Sequence, residues 1–471
     1  MDFASLYARD RDQPQRIAVV GDTLLDDWVE TAPFSCPDLC PTGKTLGHHS
    51  LPGGAANVAR QFENWHSRAT LLGPLSRQLA QALKRYGKSV DQELAFEVKA
   101  MPVKRRYRTA AGKLLFRADS EAPDYDLAPS ELEEIRSLTV KAVRELPWNA
   151  ILLVDYMKGF VDERLAENII RIARHRDILV IADPKRPPEA FAGALLKTNE
   201  DYFSQHESSF KRYAWPRVTT YGASPPWLQT LETQEPFRVF RCVDEALAGV
   251  PCRNHVGAGD CFLAHLCLGL LHGLGGRDAA RFAHHAGRVY VQHLDARPPS
   301  HYEIVKDYDP IGGKWLERQA LPSLADSLRG RQVIFTNGVF RLPHAGHAWF
   351  LEQARKRGDV LVVGINDDSS AARQRPGATI LPLRDRVQML ASFAFVDWIV
   401  PFGEDTPEAL LKVLAAPLDE PVILAKGAEY AGTIVPGQDL AVEVVFIEAS
   451  PFPQHATTLI QDFQHKCPTC P

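Results

Sequence analysis

Apolar residues in this chain come in two rhythms. Short unbroken runs, RIAVVGD (16–22), AILLVDY (150–156) and ILVIADP (178–184), end in Gly, Asp or Pro and read as fully buried strands. Between them, 129–145 and 162–175 repeat apolar positions at helical spacing. Gly53 and Gly54 open a further helical segment, AANVARQFENW. Strands alternating with helices predict an α/β fold built on a largely parallel sheet. A second β-α-β pattern begins near Arg331: QVIFTNG (332–338), the helical HAGHAWFLEQARKRG, then DVLVVGIND. The stretch between the two patterns carries Pro310, Gly312, Gly313 and Pro322 and reads as a linker. The expected organisation is 1–310 as one domain, 311–328 as linker and 329–471 as a second domain.

At roughly 100–200 residues per domain, 471 residues fit that division. A formal charge of −4 gives no electrostatic reason to expect nucleic acid or a membrane surface as partner. No apolar run reaches the length of a membrane span, and the charged start MDFASLYARDRDQPQR lacks the core of a signal peptide. A cytoplasmic enzyme is expected. Cys261 and Cys267 sit in an apolar helical stretch and read as core thiols. Cys36/Cys40 and Cys467/Cys470 have spacings that admit zinc, beside the plainer reading of a loop pair and a tail, and no metal ligand is assigned.

Two stretches carry chemistry. In NHVGAGDCFLAHLCLGLL (254–271), Gly257, Ala258, Gly259 and Asp260 precede a long apolar helix. Small residues admit a ligand close to the backbone, and the free amides of the helix start face an anion. A carboxylate there would repel phosphate, so Asp260 suits a general base that takes a proton from a hydroxyl while the amides stabilise a transferring phosphoryl group. The plain alternative is a helix cap with glycines for packing. Around it, GDTLLDDW (21–28) supplies Asp22 and Asp26, PGGAANVA (52–59) supplies Gly53, Gly54 and Asn57, VDYMKG (154–159) supplies Asp155 and Lys158, ADPKRP (182–187) supplies Asp183 and Lys185, and KTNED (197–201) supplies Asn199. Ligands of open α/β sheets sit beyond the carboxyl ends of strands, where these groups converge.

In FTNGVFRLPHAGHAWFLEQA (335–354), His344 and His347 flank Ala345 and Gly346 at a helix start. Two imidazoles beside free amides suit the charge that builds on a nucleotide α-phosphate as pyrophosphate leaves. The spacing lacks the glutamate of a zinc protease helix. Downstream, Arg386, Lys426, and Thr457 with Thr458 at a further helix start complete an ordered set with Asn337 and Gly338.

The first set of motifs, over about 15–305, resembles the ribokinase-like sugar kinase family; the second, over about 331–466, resembles the nucleotidyltransferases with an HxGH signature, a cytidylyltransferase-like Rossmann fold. In this order they are similar to bifunctional heptose 7-phosphate kinase/heptose 1-phosphate adenylyltransferases. That resemblance implies ATP-dependent phosphorylation of D-glycero-D-manno-heptose 7-phosphate at C1, then adenylyl transfer to give ADP-heptose. It implies ATP and magnesium, sugar phosphate as small-molecule partner, and a homodimer. It implies that Asp22, Gly53, Gly54 and Asn57, with Asp155 and Lys158, line the sugar site, and that Asp260 is the base. Basic residues of VKRRYRTAAGKLLFRADSE (103–121), Arg105, Arg106 and Arg117, would pair a distal sugar phosphate; solvent-facing strand charges are the other reading. Asn199 and residues 257–259 would hold the kinase nucleotide; Asn337, Gly338, Gly346, Arg386, Lys426, Thr457 and Thr458 the second one.

The chain departs from these patterns. Tyr202 stands where the kinases carry the glutamate of N-x-x-E, and Val256 where threonine is common. Arg341 replaces the aspartate of the Phe-Asp pair before HxGH, and Ala456 a serine. Two rival readings stay open: the same chemistry on another sugar or nucleotide, or one half kept as a non-catalytic binding module.

Overall fold

A computed structural model describes residues 4–32, 44–87, 89–109, 113–213, 215–222, 224–230, 238–241, 252–293, 296–376, 381–418, 421–440 and 443–451. The chain divides into two compact units, Met1–Ile304 and Val305–Pro471.

The strands of the first unit are β1 (Arg16–Gly21), β2 (Thr23–Thr31), β3 (Thr45–Gly54), β4 (Arg68–Leu72), β5 (Pro74–Ser76), β6 (Phe96–Val98), β7 (Val103–Thr109), β8 (Leu114–Ser120), β9 (Ala150–Val154), β10 (Leu179–Asp183), β11 (Leu195–Asn199), β12 (Arg217–Tyr221), β13 (Ser224–Thr230) and β14 (Arg238–Arg241). The main sheet runs β14-β13-β12-β11-β10-β9-β1-β4, parallel from β4 through β12, with β13 and β14 antiparallel at one end. The apolar runs explain its centre: Ile17, Val19 and Val20 of β1 and all of β9 are buried, as strands covered on both faces must be. Helices Glu163–His175 and Ala258–Leu271 supply part of that cover. The first is capped by Asp162, whose side chain accepts from the Leu165 amide.

A second sheet, β3-β2-β7-β8, grows out of the end of β1. β2 pairs antiparallel with β3 and parallel with β7, and β7 turns back into β8. The pair of basic strands expected over 103–121 is therefore present as β7 and β8.

In the second unit, β15 (Val333–Gly338), β16 (Val360–Asn366), β17 (Trp398–Phe402), β18 (Ile423–Gly427) and β19 (Glu443–Ile447) form an all-parallel sheet in the order β17-β16-β15-β18-β19. The order reverses at β15, and a doubly wound sheet opens its ligand crevice at such a point. Ile334, Leu361, Val363, Ile365, Val387, Leu390 and Ile399 form its core. The stretch expected as a linker is folded here. Residues 311–328 contain the turns Gly312–Lys314 and Arg318–Ala320 and the helix Leu321–Ser327. Leu316, Leu321, Leu324 and Leu328 are buried, and the Leu316 amide donates to the Ile399 carbonyl at 2.9 Å. Proline and glycine marked the breaks between turns, and the interspersed leucines hold the stretch on the second unit.

Candidate active sites

The first site lies at the carboxyl ends of β9, β10, β11 and β12, around a cavity of about 480 Å³. Helix Ala258–Leu271 starts there after Gly257, which has φ +87° and no side-chain cap; the Ala258 amide donates to the His255 carbonyl at 3.3 Å, which leaves the Gly259 and Asp260 amides for a ligand. Only glycine fits at 257: a Cβ would lie 2.5 Å from the Tyr290 hydroxyl and 2.6 Å from Asn57 Nδ2. Asp260, on the first turn, is buried and lines the cavity. Its Oδ2 accepts from Asn57 Nδ2 at 2.7 Å and its Oδ1 from the Tyr156 hydroxyl at 2.9 Å. Burial lifts the carboxyl to about 6; Asn57 and Tyr156 oppose the rise, and nearby Asp183 adds to it. A carboxylate that changes state just below neutrality is matched to proton abstraction.

Lys197 reaches the same helix start. Its ammonium donates to Asp183 Oδ2 at 3.0 Å, and a Cβ on Gly259 would lie 2.8 Å from it. Burial pushes the Asp183 carboxyl up, but Lys197 and Lys185 outweigh it and hold it below the ordinary range. A fixed cation and free amides thus meet where a transferred phosphoryl group would carry charge. Glu200, Asp201 and Arg288 also line the cavity.

The residues expected at this site divide into two groups. Asn57, Gly257, Ala258, Gly259, Asp260 and Asn199 converge on the cavity or on one another, although the Asn199 side chain is occupied in accepting from the Tyr202 amide. Gly53 and Gly54 close β3 beside them; a Cβ on Gly53 would lie 2.8 Å from Asp26 Oδ2, and Gly54 has φ +59°. Asp22 is not presented to a sugar. Its Oδ2 accepts from the amides of Tyr156 (2.9 Å) and Lys158 (3.0 Å), and its Oδ1 from those of Phe160 (3.0 Å) and Val161 (3.3 Å). Asp155 likewise accepts from the amides of Met157, Lys185 and Arg186 and from the Arg186 side chain. Both carboxylates shape the loops that carry site residues. Lys158 binds Glu121 at 2.6 Å, Arg105 binds Asp27 at 3.0 Å and Arg117 binds Asp119 at 2.9 Å. Tyr156 and Lys197 were missed. Both stand inside motifs read for their neighbours, VDYMKG and KTNED, and only the fold brings their side chains to Asp260 and the helix start.

The second site forms at the end of β15. His344 caps helix Ala345–Arg355, its Nδ1 accepting from the Gly346 amide at 3.1 Å. The His344 and His347 rings lie 3.9 Å apart, with Phe340 5.2 Å from His347. Phe340, at φ +46°, turns the chain sharply, and a Cβ on Gly338 would lie 3.2 Å from its ring. Lys426, at the end of β18, donates to Asn337 Oδ1 at 2.5 Å. Burial lowers its ammonium to about 8, with Glu429 opposing. Arg386 is fully buried and does not face the crevice. It donates to the carbonyls of Leu381, Val339 and Asn366 and to Asp368, which ties the site's backbone together. Thr457, Thr458 and the cysteines 36, 40, 467 and 470 lie outside the described residues.

Residues 335–460 match the cytidylyltransferase-like family model. The chain is 30% identical over 459 residues to the bifunctional protein HldE of Helicobacter pylori strain ATCC 700392 / 26695, covering 92% of this chain and 95% of that protein. The chain belongs to the family of the bifunctional HldE proteins. The HldE protein of Wolinella succinogenes is 28% identical over 470 residues, covering 92% and 94% of the two chains. The alignments span both units in one order, so the pairing of kinase and nucleotidyltransferase read from the motifs stands, and with it the use of ATP. A crystal structure of phosphofructokinase-2 from Escherichia coli in complex with potassium shares the fold, with a TM-score of 0.50 at 19% identity, over 63% of this chain and 98% of that one. The Tyr202 hydroxyl donates to the Arg186 carbonyl at 2.7 Å.

Proposed function

We propose that the first unit transfers the γ-phosphoryl group of ATP to the anomeric hydroxyl of D-glycero-D-manno-heptose 7-phosphate. The product of that step is the 1,7-bisphosphate; once a separate phosphatase has hydrolysed the 7-phosphate to inorganic phosphate, the second unit joins heptose 1-phosphate to the α-phosphate of a second ATP, releasing pyrophosphate and forming ADP-heptose. The observation that carries the first half is Asp260, a buried carboxylate lifted to about 6, held on the first turn of a helix whose start has no side-chain cap. Asp260 takes the proton of the attacking hydroxyl, and Lys197 with the amides of Gly259 and Asp260 stabilises the phosphoryl oxygens. In the second half the sugar 1-phosphate needs no base, because its oxygen is already anionic. His344 and His347 donate to the α-phosphate as its charge rises, and Lys426 holds the nucleotide's phosphates.

Magnesium bound between ATP phosphates and one or two carboxylates would offset phosphate charge, and Glu200 and Asp201 on the cavity wall fit that need. We place the protein in the cytoplasm, where ATP and sugar phosphates are met, and as a homodimer; no helix among the described residues is long and apolar enough to cross a membrane.

The test separates the halves. Asp260→Asn should stop formation of the sugar 1-phosphate from ATP and heptose 7-phosphate. His347→Ala should leave that step intact but form no ADP-heptose from ATP and heptose 1-phosphate. Mass spectrometry of the products distinguishes these outcomes, and full activity of either variant removes that half of the proposal.

A further inference from the structure

The loop after β9, residues 155–161, carries Tyr156 and holds a shape that a chain does not keep unaided. Met157 sits at φ +53° and Gly159 at φ +105°, and a Cβ on residue 159 would collide with Asp124. Left-handed backbone of this kind persists only where surrounding contacts over-determine it. On one side those contacts are carboxylates that reach amides. Asp22 accepts from the amides of Tyr156, Lys158, Phe160 and Val161, and Asp155 from that of Met157. On the other side a cation reaches carbonyls. Arg136, on helix Pro129–Glu145, donates from Nε to the Phe160 carbonyl at 3.0 Å and from Nη2 to the Gly159 carbonyl at 2.6 Å. Its Nη1 binds Asp162 at 2.8 Å, which fixes the plane of the guanidinium. The loop is clamped by its N–H groups and by its C=O groups at once.

Arg136 does not touch the substrate cavity. It lines a separate cleft of about 130 Å³ with Glu133, Asp162 and Arg164, and none of these borders the cavity that holds Asp260. Any effect of Arg136 on the reaction has to pass through the loop. Tyr156 is the loop residue that lines the cavity, and its hydroxyl donates to Asp260 Oδ1 at 2.9 Å. That hydroxyl stands at the end of a long rigid ring, so a small shift of the backbone moves it off its acceptor.

We infer that Arg136 is a positioning residue of the kinase step: by holding the Gly159 and Phe160 carbonyls it keeps the Tyr156 hydroxyl on Asp260. The inference rests on the kinase reading above and extends it to a residue outside the cavity. Asp260 is faced by Asn57, Asp183 and Lys197, and Tyr156 by Lys104, Lys185, Asp26 and Asp183. The ion-pair partners of Arg136, Glu133 and Asp162, are not among them. Removing the guanidinium therefore leaves the charges around the base in place and acts on the geometry of one donor. A donor favours the ionised carboxylate, so loosening it raises the pH at which Asp260 ionises.

The experiment measures kcat/KM for the sugar, with the full-length chain, ATP and heptose 7-phosphate, from about pH 5 to pH 9. Four proteins are compared: the unaltered chain, Arg136→Ala, Tyr156→Phe and the double variant. Arg136→Ala should move the curve to higher pH, with a loss of roughly 3- to 10-fold near pH 6 that falls below about 2-fold near pH 9. KM for ATP should stay near that of the unaltered chain, and Arg136→Lys should recover part of the loss. In the Tyr156→Phe background Arg136→Ala should add no further displacement, because the donor it positions is already gone. A loss equal at every pH, or the same displacement with and without the Tyr156 hydroxyl, overturns the inference and leaves Arg136 a residue of the fold alone. If the melting curve shows that Arg136→Ala does not fold, Arg136→Gln and Arg136→Lys carry the same four-way comparison. An unaltered chain that makes no 1,7-bisphosphate removes the kinase reading itself; an active chain whose curve ignores residue 136 removes only this inference.

Discussion

Replacing Tyr156 by Phe removes one hydroxyl and leaves the ring that Lys104 and Lys185 flank. That hydroxyl donates to Asp260 Oδ1 at 2.9 Å. Burial, with Asp260 and Asp183 close by, holds the phenol well above its ordinary range, so it acts only as a donor. A donor favours the ionised carboxylate. A hydrogen bond to a charged group contributes about 1.5–3 kcal/mol, and one pKa unit corresponds to about 1.36 kcal/mol, so the loss should raise the Asp260 midpoint by about 1–2 units. Asn57 remains on Oδ2 at 2.7 Å and limits the rise. The base must be ionised to work, so kcat/KM for the sugar increases with pH through about 6 in the unaltered enzyme. In Tyr156→Phe the curve should move to higher pH, with a loss of about 5- to 50-fold near pH 6 that nearly vanishes near pH 9. The assay is ADP release from the kinase step across that range. The substrate's own phosphate titrates near pH 6, so the comparison is between two enzymes on one substrate. Superimposable curves, or an equal loss at every pH, would refute the coupling of Tyr156 to the base.

Asp22→Ala should strip four backbone amides of their acceptor and destabilise the first unit by about 3 kcal/mol or more, with kinase activity lost because the loop carries Tyr156; chemical denaturation measures it, and Asp22→Asn, with one acceptor oxygen, should fall between. Adenylyl transfer should decline as pH rises through about 8, because the Lys426 ammonium loses its proton there; Lys426→Arg, which stays charged, should flatten that decline in a pyrophosphate-release assay.

What the sequence disclosed was what local pattern encodes. Unbroken apolar runs marked β1, β9, β10 and β16, and glycines marked the helix starts at 257 and 346, because strand burial and close backbone approach constrain residue type directly. Asp260, the His344/His347 pair and the Asn57 segment were legible for that reason. The role of a charged residue was less so. Asp22 and Asp155 stand at strand ends as ligand-binding carboxylates do, yet they accept from backbone amides of loops distant in sequence. Arg386 was expected at the nucleotide, but its partners are carbonyls 5, 20 and 47 residues away, a choice that only the packed sheet makes. Arg105 and Arg117 offered the basic pattern, yet they are paired with Asp27 and Asp119, and pairing depends on which carboxylates the fold sets beside them.

The central claim is that two phosphoryl-handling centres act in succession on one sugar. Isotope tracing follows each phosphorus atom. In separate reactions of the full-length chain with heptose 7-phosphate and a phosphatase that removes the 7-phosphate of the bisphosphate, ATP is labelled at the γ- or at the α-phosphorus. The account predicts γ-label in the product's phosphate next to the sugar and α-label in the phosphate next to adenosine, with pyrophosphate released. A nucleotide sugar without γ-label, or no nucleotide sugar at all, would contradict it.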